Sequence, residues 1–148
     1  MTAWDGLQSG IEFMMLERFK VDQKKLRHYA WASGDYNPIH FDDASAKSMG
    51  LPSTIMHGMF ELGLMAISLD ELTDQIFKNA LVKCQVKKIE TKFVGAALLN
   101  DELSISAKIA ATSEDSFTLH MFMYRNGDRA LLTALGSAVL EAINTESF

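Results

Sequence analysis

The sequence predicts an α+β fold: one domain in which an antiparallel sheet is wrapped around a long central helix. Two patterns carry that expectation. From His57 to about Leu72 the chain is apolar nearly all round, with Met59, Phe60, Leu62, Leu64, Met65, Ile67 and Leu69. A helix that is hydrophobic on every side is one that other elements cover. After Asp74 the pattern changes to strict alternation, in four strand-like runs separated by short turns, which predicts an antiparallel meander. Length agrees: 148 residues make one domain of ordinary size, 1–148, with no linker, repeat or low-complexity segment dividing it.

Each element has its own signal. Met1 to Gly10 reads as a loose lead-in. Ile11 to Val21 suits an edge strand with Phe13, Met15 and Phe19 facing in. Asp22 stands where a helix cap belongs, and Leu26, Tyr29 and Ala30 recur at helical spacing up to Ser33. A loop follows. Asp42 to Met49 reads as a short helix opened by Asp42 or Asp43 and stopped by Gly50, and Pro52 and Ser53 keep the chain irregular until His57. In the second half, Val82, Cys84 and Val86 alternate with Lys83, Gln85 and Lys87. Lys87-Lys88 then shifts the phase before Ile89, Thr91 and Phe93, which predicts a β-bulge that helps the sheet curve. Asn100-Asp101 separates this strand from Leu103, Ile105, Ala107 and Ile109. A polar turn at Thr112 to Ser116 precedes Phe117, Leu119, Met121 and Met123, and Asn126-Gly127 is a hairpin signal leading into Ala130 to Ile143.

Composition narrows the function classes. The chain is 48% hydrophobic and 22% charged, so it can bury a real core. A net charge of −5 without a basic stripe argues against nucleic acid. No basic region followed by an apolar run opens the chain and no apolar run spans a bilayer, so neither a signal peptide nor a membrane partner is expected. The single cysteine, Cys84, cannot form an internal disulfide and reads as a small hydrophobe on a strand; a cytoplasmic location is expected. No glycine-rich phosphate loop or dinucleotide fingerprint is present, and no cofactor is expected. Asp35, His40, Asp42 and His57 are ligand-type residues, but they lack a compact metal spacing, so no metal is expected. His28 and His120 read as surface residues of a helix and a strand.

The chemistry concentrates in Ser33-Gly34-Asp35-Tyr36-Asn37-Pro38-Ile39-His40. Asp35 and His40 are five residues apart, so a regular strand would point them to opposite faces. Pro38 fixes its own φ and biases Asn37 away from the helical region, which excludes a continuous helix. Only a turned loop lets both side chains point at one place, and Gly34, Asn37 and Pro38 are turn formers. Two readings stand at this point. In one, Asp35 and His40 form an acid/base pair; in the other, the loop merely caps the next helix and His40 is exposed.

Tyr29 to His40, together with Asp42, Ala46, Gly50 and Ile55-Met56-His57-Gly58-Met59, resembles the signature of the MaoC-like, (R)-specific enoyl-CoA hydratases, also called hydratase 2. Further on, Phe93, Asp101 and Leu103 fit the pattern of those proteins, while Ala96, Ala97 and Asn100 stand where they carry Pro, Val and Gly. Asn tolerates the left-handed conformation Gly would take there. The resemblance implies a hotdog fold, usually dimeric, and a water handled by Asp35 and His40. It implies a lyase of fatty acid metabolism that hydrates trans-2-enoyl thioesters to (R)-3-hydroxyacyl thioesters by syn addition, and the reverse. Asp35 would orient and activate the water, His40 would exchange protons with it and with C2, and the Gly58 N–H at the start of the central helix would meet the thioester oxygen. Ser33, Gly34, Asn37 and Pro38 shape the loop, and His57 is read as a supporting or capping residue.

The substrate is an acyl-CoA or an acyl-carrier-protein thioester, and the partner is a second copy or another hotdog subunit. Scattered Lys83, Lys87, Lys88 and Lys92 are candidates for coenzyme A phosphates, or else solvated strand-face residues. Met59, Gly63 and Ala66 leave a thin strip along the central helix where an acyl chain could lie, although methionines here also read as core filler. Three alternatives accompany the hydratase: a (3R)-hydroxyacyl-acyl-carrier-protein dehydratase or dehydratase subunit, a non-catalytic acyl-thioester-binding module, and a hotdog thioesterase.

Overall fold

A computed structural model describes residues 6–78 and 83–143. The expected Val82 start of the second strand and the first five residues of the lead-in lie outside the described residues. In chain order the elements are β1 (Glu12–Lys20), α1 (Gln23–Ser33), a 3-10 turn (Pro38–His40), α2 (Asp43–Ser48), α3 (Gly58–Phe77), β2 (Lys83–Phe93), β3 (Glu102–Thr112), β4 (Ser116–Arg125) and β5 (Asp128–Ile143). The five strands form one antiparallel sheet in the order β1-β3-β4-β5-β2, and α3 lies against it. This is the hotdog arrangement.

The alternation does the packing. Leu103, Ile105, Ala107 and Ile109 of β3, Phe117, Leu119, Met121 and Met123 of β4, and Ala134, Ala138 and Leu140 of β5 are all buried, at period 2. They share one core with Met65, Leu69 and Leu72 of α3. Gly136 breaks the β5 series because the helix comes down on it. A Cβ there would sit 3.0 Å from the Glu90 carbonyl oxygen, 3.1 Å from Met121 Cε and 3.3 Å from Met65 Sδ. Asp22 caps α1 by accepting from the Lys25 N–H, and Asp42 caps α2 by accepting from the Ser45 N–H. The register between β2 and β5 slips between Val86 and Lys88, where the phase shift predicts a bulge. Asn100 takes φ 72°, and Asn126 and Gly127 take φ 57° and 71°, as a tight primed hairpin requires.

Two expectations need correction. The four runs of the second half are not one meander: β3, β4 and β5 are, but β2 pairs with β5 at the far side of the sheet. The segment between β2 and β3 is held elsewhere, by Met56 N–H to the Ala97 carbonyl and Leu99 N–H to the Thr54 carbonyl, so it cannot close a hairpin. Nor is α3 covered on every side in the single chain. It runs five residues past Leu72, and Met59 and Ile67 are each 61% exposed beside exposed Ala66.

Candidate active site

The site is assembled by three backbone devices. Gly34 ends α1 in the left-handed region at φ 76°, donating to the Ala30 carbonyl, and turns the chain out of the helix. Asn37 accepts from the Ile39 N–H through its side chain, with Pro38 opening the 3-10 turn that carries His40. Asp35 Oδ1 accepts from the Asn37 N–H at 3.2 Å, and the Ser33 hydroxyl ties the Asp35 N–H back to the last turn of α1. These bonds are local, which is why a short motif can specify the loop.

Asp35 and His40 meet: Asp35 Oδ2 lies 3.8 Å from His40 Nε2. The Asp35 side chain is 51% exposed and that of His40 only 9%. The His40 Nδ1–H donates to the Ile55 carbonyl at 2.9 Å, because a carbonyl can only accept. That bond occupies Nδ1 and leaves Nε2 as the atom facing Asp35. A separation of 3.8 Å is too long for a direct bond. It is short enough for one water to contact both groups at about 2.8 Å each.

His57 closes the arrangement from behind. It occupies the N-cap position of α3 without making a side-chain capping bond. Instead its ring stacks on His40, with centroids 3.7 Å apart and planes at 20°, and packs against Tyr29 at 4.7 Å. Its Nε2–H donates to the Asp35 carbonyl at 3.2 Å, while Nδ1 is buried without a partner. Burial holds the His57 imidazole below its usual pKa, only partly offset by its bond to Asp35, so it is neutral. Asp35, His40 and His57 each place a ligand-type atom within 4.8 Å of the others, a cluster that their sequence spacing hides. Two imidazoles stacked face to face carry their in-plane lone pairs side by side instead of converging, so the set suits a tetrahedral ion poorly. The fourth ligand-type residue, Asp42, is committed to capping α2.

Gly58 is the first residue of α3, whose opening N–H groups have no intrahelical partner. The Phe93 ring lies against it, and an added Cβ would sit 3.0 Å from Phe93 Cζ. A side chain there would have to push the half-exposed Phe93 ring aside by a few tenths of an ångström. Of the acyl strip, Met59 and Ala66 are exposed, and nothing lies within 4 Å of a Cβ built on Gly63.

Glu61, one turn into α3, escapes sequence reasoning. It is 3% exposed, and burial pushes its carboxyl up to about 7. Glu61 Oε1 and Thr133 Oγ1 both lie outside hydrogen-bond geometry. The available signal was that Glu61 is the lone charged residue between His57 and Asp70. Cys84 is half-buried and burial raises its thiol to about 11, which keeps it protonated and unreactive. Lys87 and Lys88 are engaged by Glu141 and Glu90. No helix among the described residues is long and apolar enough to cross a membrane.

Comparison with known proteins follows the geometry. Residues 11–126 match the family model described as MaoC like domain. The chain is 46% identical over 41 residues to 3-hydroxyacyl-thioester dehydratase X of Mycobacterium tuberculosis, covering 28% of this chain and 15% of that protein. It is 29% identical over 93 residues to fatty acid synthase beta subunit TOXC of Cochliobolus carbonum, covering 63% of this chain and 4% of that protein. The chain spans between 4% and 31% of the length of the curated relatives it matches. Among solved structures, an (R)-hydratase from A. caviae superposes with a TM-score of 0.72 at 23% identity, over 91% of this chain and 96% of that one, so the fold is shared.

Proposed function

Because the chain belongs to the MaoC-like dehydratase family, we propose that it is a lyase adding water to trans-2-enoyl thioesters, and removing it from (R)-3-hydroxyacyl thioesters. The supporting observation is the Asp35 carboxylate facing the proton-exchanging nitrogen of His40 at one-water distance. Asp35 Oδ2 accepts from the water and orients it. His40 Nε2 takes a proton as the water oxygen bonds to C3. The C2–C3 double-bond electrons move into the thioester, whose oxygen is met by the Gly58 N–H and the positive end of α3. His40 then returns the proton to C2 on the same face, a syn addition with all atoms accounted for. Stacked His57 keeps the His40 ring in place and, being neutral, adds no competing charge.

A binding module would need no such pair, so the catalytic reading is favoured. Whether the carrier is coenzyme A or an acyl carrier protein does not alter the chemistry. A cytoplasmic setting, with a second copy or another hotdog subunit as partner, completes the proposal and fits the lone Cys84 thiol. The test is purified protein with crotonyl-CoA, followed at the enoyl-thioester absorbance. Loss of absorbance with the thioester intact is the expected result. Release of free thiol would assign a thioesterase instead, and no change over long incubation would return the binding module.

A further inference from the structure

We propose that the Glu61 carboxyl, buried one turn into α3, sets how much positive potential the start of that helix presents to the thioester oxygen, which makes Glu61 a positioning residue for the reaction; the inference rests on the lyase reading of the site.

Gly58 and Glu61 are three residues apart, so they lie on one face of α3 with a rise of about 4.5 Å between them. That face meets the corner where β2 runs past β5. The Phe93 ring lies against Gly58, Phe93 pairs with Ala134, and the Val94 N–H donates to the Thr133 carbonyl at 2.9 Å. Thr133 is the extra residue of a β-bulge, since Tyr124 pairs with Leu132 and Met123 with Ala134, and the bulge lets Thr133 and Ala134 both be buried. The Thr133 hydroxyl is the polar group of the sheet that bears on the Glu61 carboxyl. No charged group among the described residues does so. On the neighbouring elements, β1 brings Phe19 against Phe60, Lys92 beside Phe93 is exposed, and His57 at the head of the helix is neutral. Packing alone does not call for a carboxyl here. Glu61 Oε1 and the Thr133 hydroxyl are both left without partners, a cost that an apolar side chain would avoid.

A buried carboxyl with no cation beside it keeps its proton, because water no longer stabilises the anion. In that state the start of α3 is unopposed. The Phe60 and Glu61 N–H groups both turn back to the His57 carbonyl, at 3.0 and 3.2 Å, which leaves Gly58 and Met59 as the open donors at the mouth of the helix. The enolate-like oxygen formed as water adds to C3 gathers its charge in front of them. Loss of the Glu61 proton puts a full negative charge one turn behind those donors, in surroundings that screen it weakly. That charge opposes the developing enolate and leaves the neutral thioester nearly untouched. The effect therefore falls on kcat more than on KM.

The experiment follows crotonyl-CoA hydration by wild-type protein and Glu61→Gln, which cannot ionise, at a temperature where melts show both folded throughout. The ratio of Glu61→Gln kcat to wild-type kcat should rise by about 10-fold or more between about pH 5.5 and about pH 8.5, with the change centred where burial places the carboxyl, at about 7. Taking the ratio cancels every other titration the two proteins share. A ratio that stays flat overturns the proposal, as does a change carried by KM. Heteronuclear NMR of isotope-labelled wild-type protein reads the same coupling without turnover and without a variant. The Gly58 amide shift should titrate together with the Glu61 carboxyl carbon. A Gly58 amide that stays still, or a carboxyl that never changes state in this range, overturns the proposal. Shared titration in protein that hydrates no thioester supports the coupling and overturns only the lyase reading.

Discussion

At the residue scale, the proposed acid/base pair and the buried Glu61 make opposite kinds of demand on the fold. Asp35→Asn keeps the bond that Oδ1 accepts from Asn37 and removes only the carboxylate charge. His40→Gln removes the imidazole Nε2 to which the proposed mechanism gives the proton transfer. Each should depress kcat by roughly 100-fold or more, and the double variant should be little worse than either, since groups acting on one water fail together. Their stabilities should differ. Half-exposed Asp35 should cost under about 1 kcal/mol, whereas buried His40 loses its bond to Ile55 and its stack on His57, on the order of 1–3 kcal/mol. Steady-state rates and thermal melts check both halves; near-normal turnover in folded Asp35→Asn protein would overturn the mechanism. For Glu61, the folded carboxyl keeps its proton up to about 7 while the unfolded one releases it near 4.5. Its contribution to stability is therefore fully present below pH 4.5 and is lost as pH rises through 7, a decline on the order of 3 kcal/mol. Glu61→Gln stays neutral and should flatten that decline, so denaturation midpoints at acid and alkaline pH should converge in the variant. An unchanged pH slope would mean that another group carries it.

At the element scale, one carboxylate joins two distant connections. Asp101 Oδ2 accepts from the Leu98 N–H at 2.8 Å and from Arg125 Nη1 at 3.2 Å, and Oδ1 accepts from Asn126 Nδ2 at 2.8 Å. The β2–β3 segment is thereby pinned to the β4–β5 hairpin. Asp101→Ala leaves these donors unpaired at a nearly buried position and should destabilise by about 2–4 kcal/mol, read from equilibrium denaturation. A change within ±0.5 kcal/mol, typical of about any surface site, would show the cluster to be incidental. Along α3, Ala66 is exposed and so has room for a larger side chain. Ala66→Leu should therefore fold normally but lose activity on long acyl thioesters much more than on crotonyl-CoA. Equal loss on both chain lengths would remove the acyl strip from consideration.

At the scale of the whole molecule, two edges stay open, β1 and β2. Open edges are usually paired or covered. The β2 edge ends in Phe93, 45% exposed, and the apolar strip with Met59 and Ile67 on α3 is uncovered too. A second chain joining the sheets would cover what a single chain leaves in water. Light scattering should give a mass of at least two chains at working concentration, and a stable monomer would count against this assembly.

The features legible in the sequence are those set by near neighbours along the chain. Strand faces follow from period 2, the bulge at Lys87-Lys88 from a slipped phase, and the left-handed Asn100 and the Asn126-Gly127 hairpin from local backbone preference. The Asp35–His40 loop belongs with them, because its cap, turn and Asx bonds all close within a few residues. Tertiary structure alone decided the rest. Periodicity names the face a residue presents but not the strand it pairs with, so β2 could reach the edge of the 16-residue β5 instead of β3. The stacking of His57 on His40 brings together residues seventeen apart through packing that no spacing encodes. The burial of Glu61 and the exposed groove at Trp31 on α1 were decided in the same way, by which surfaces the sheet covers and which it leaves to solvent.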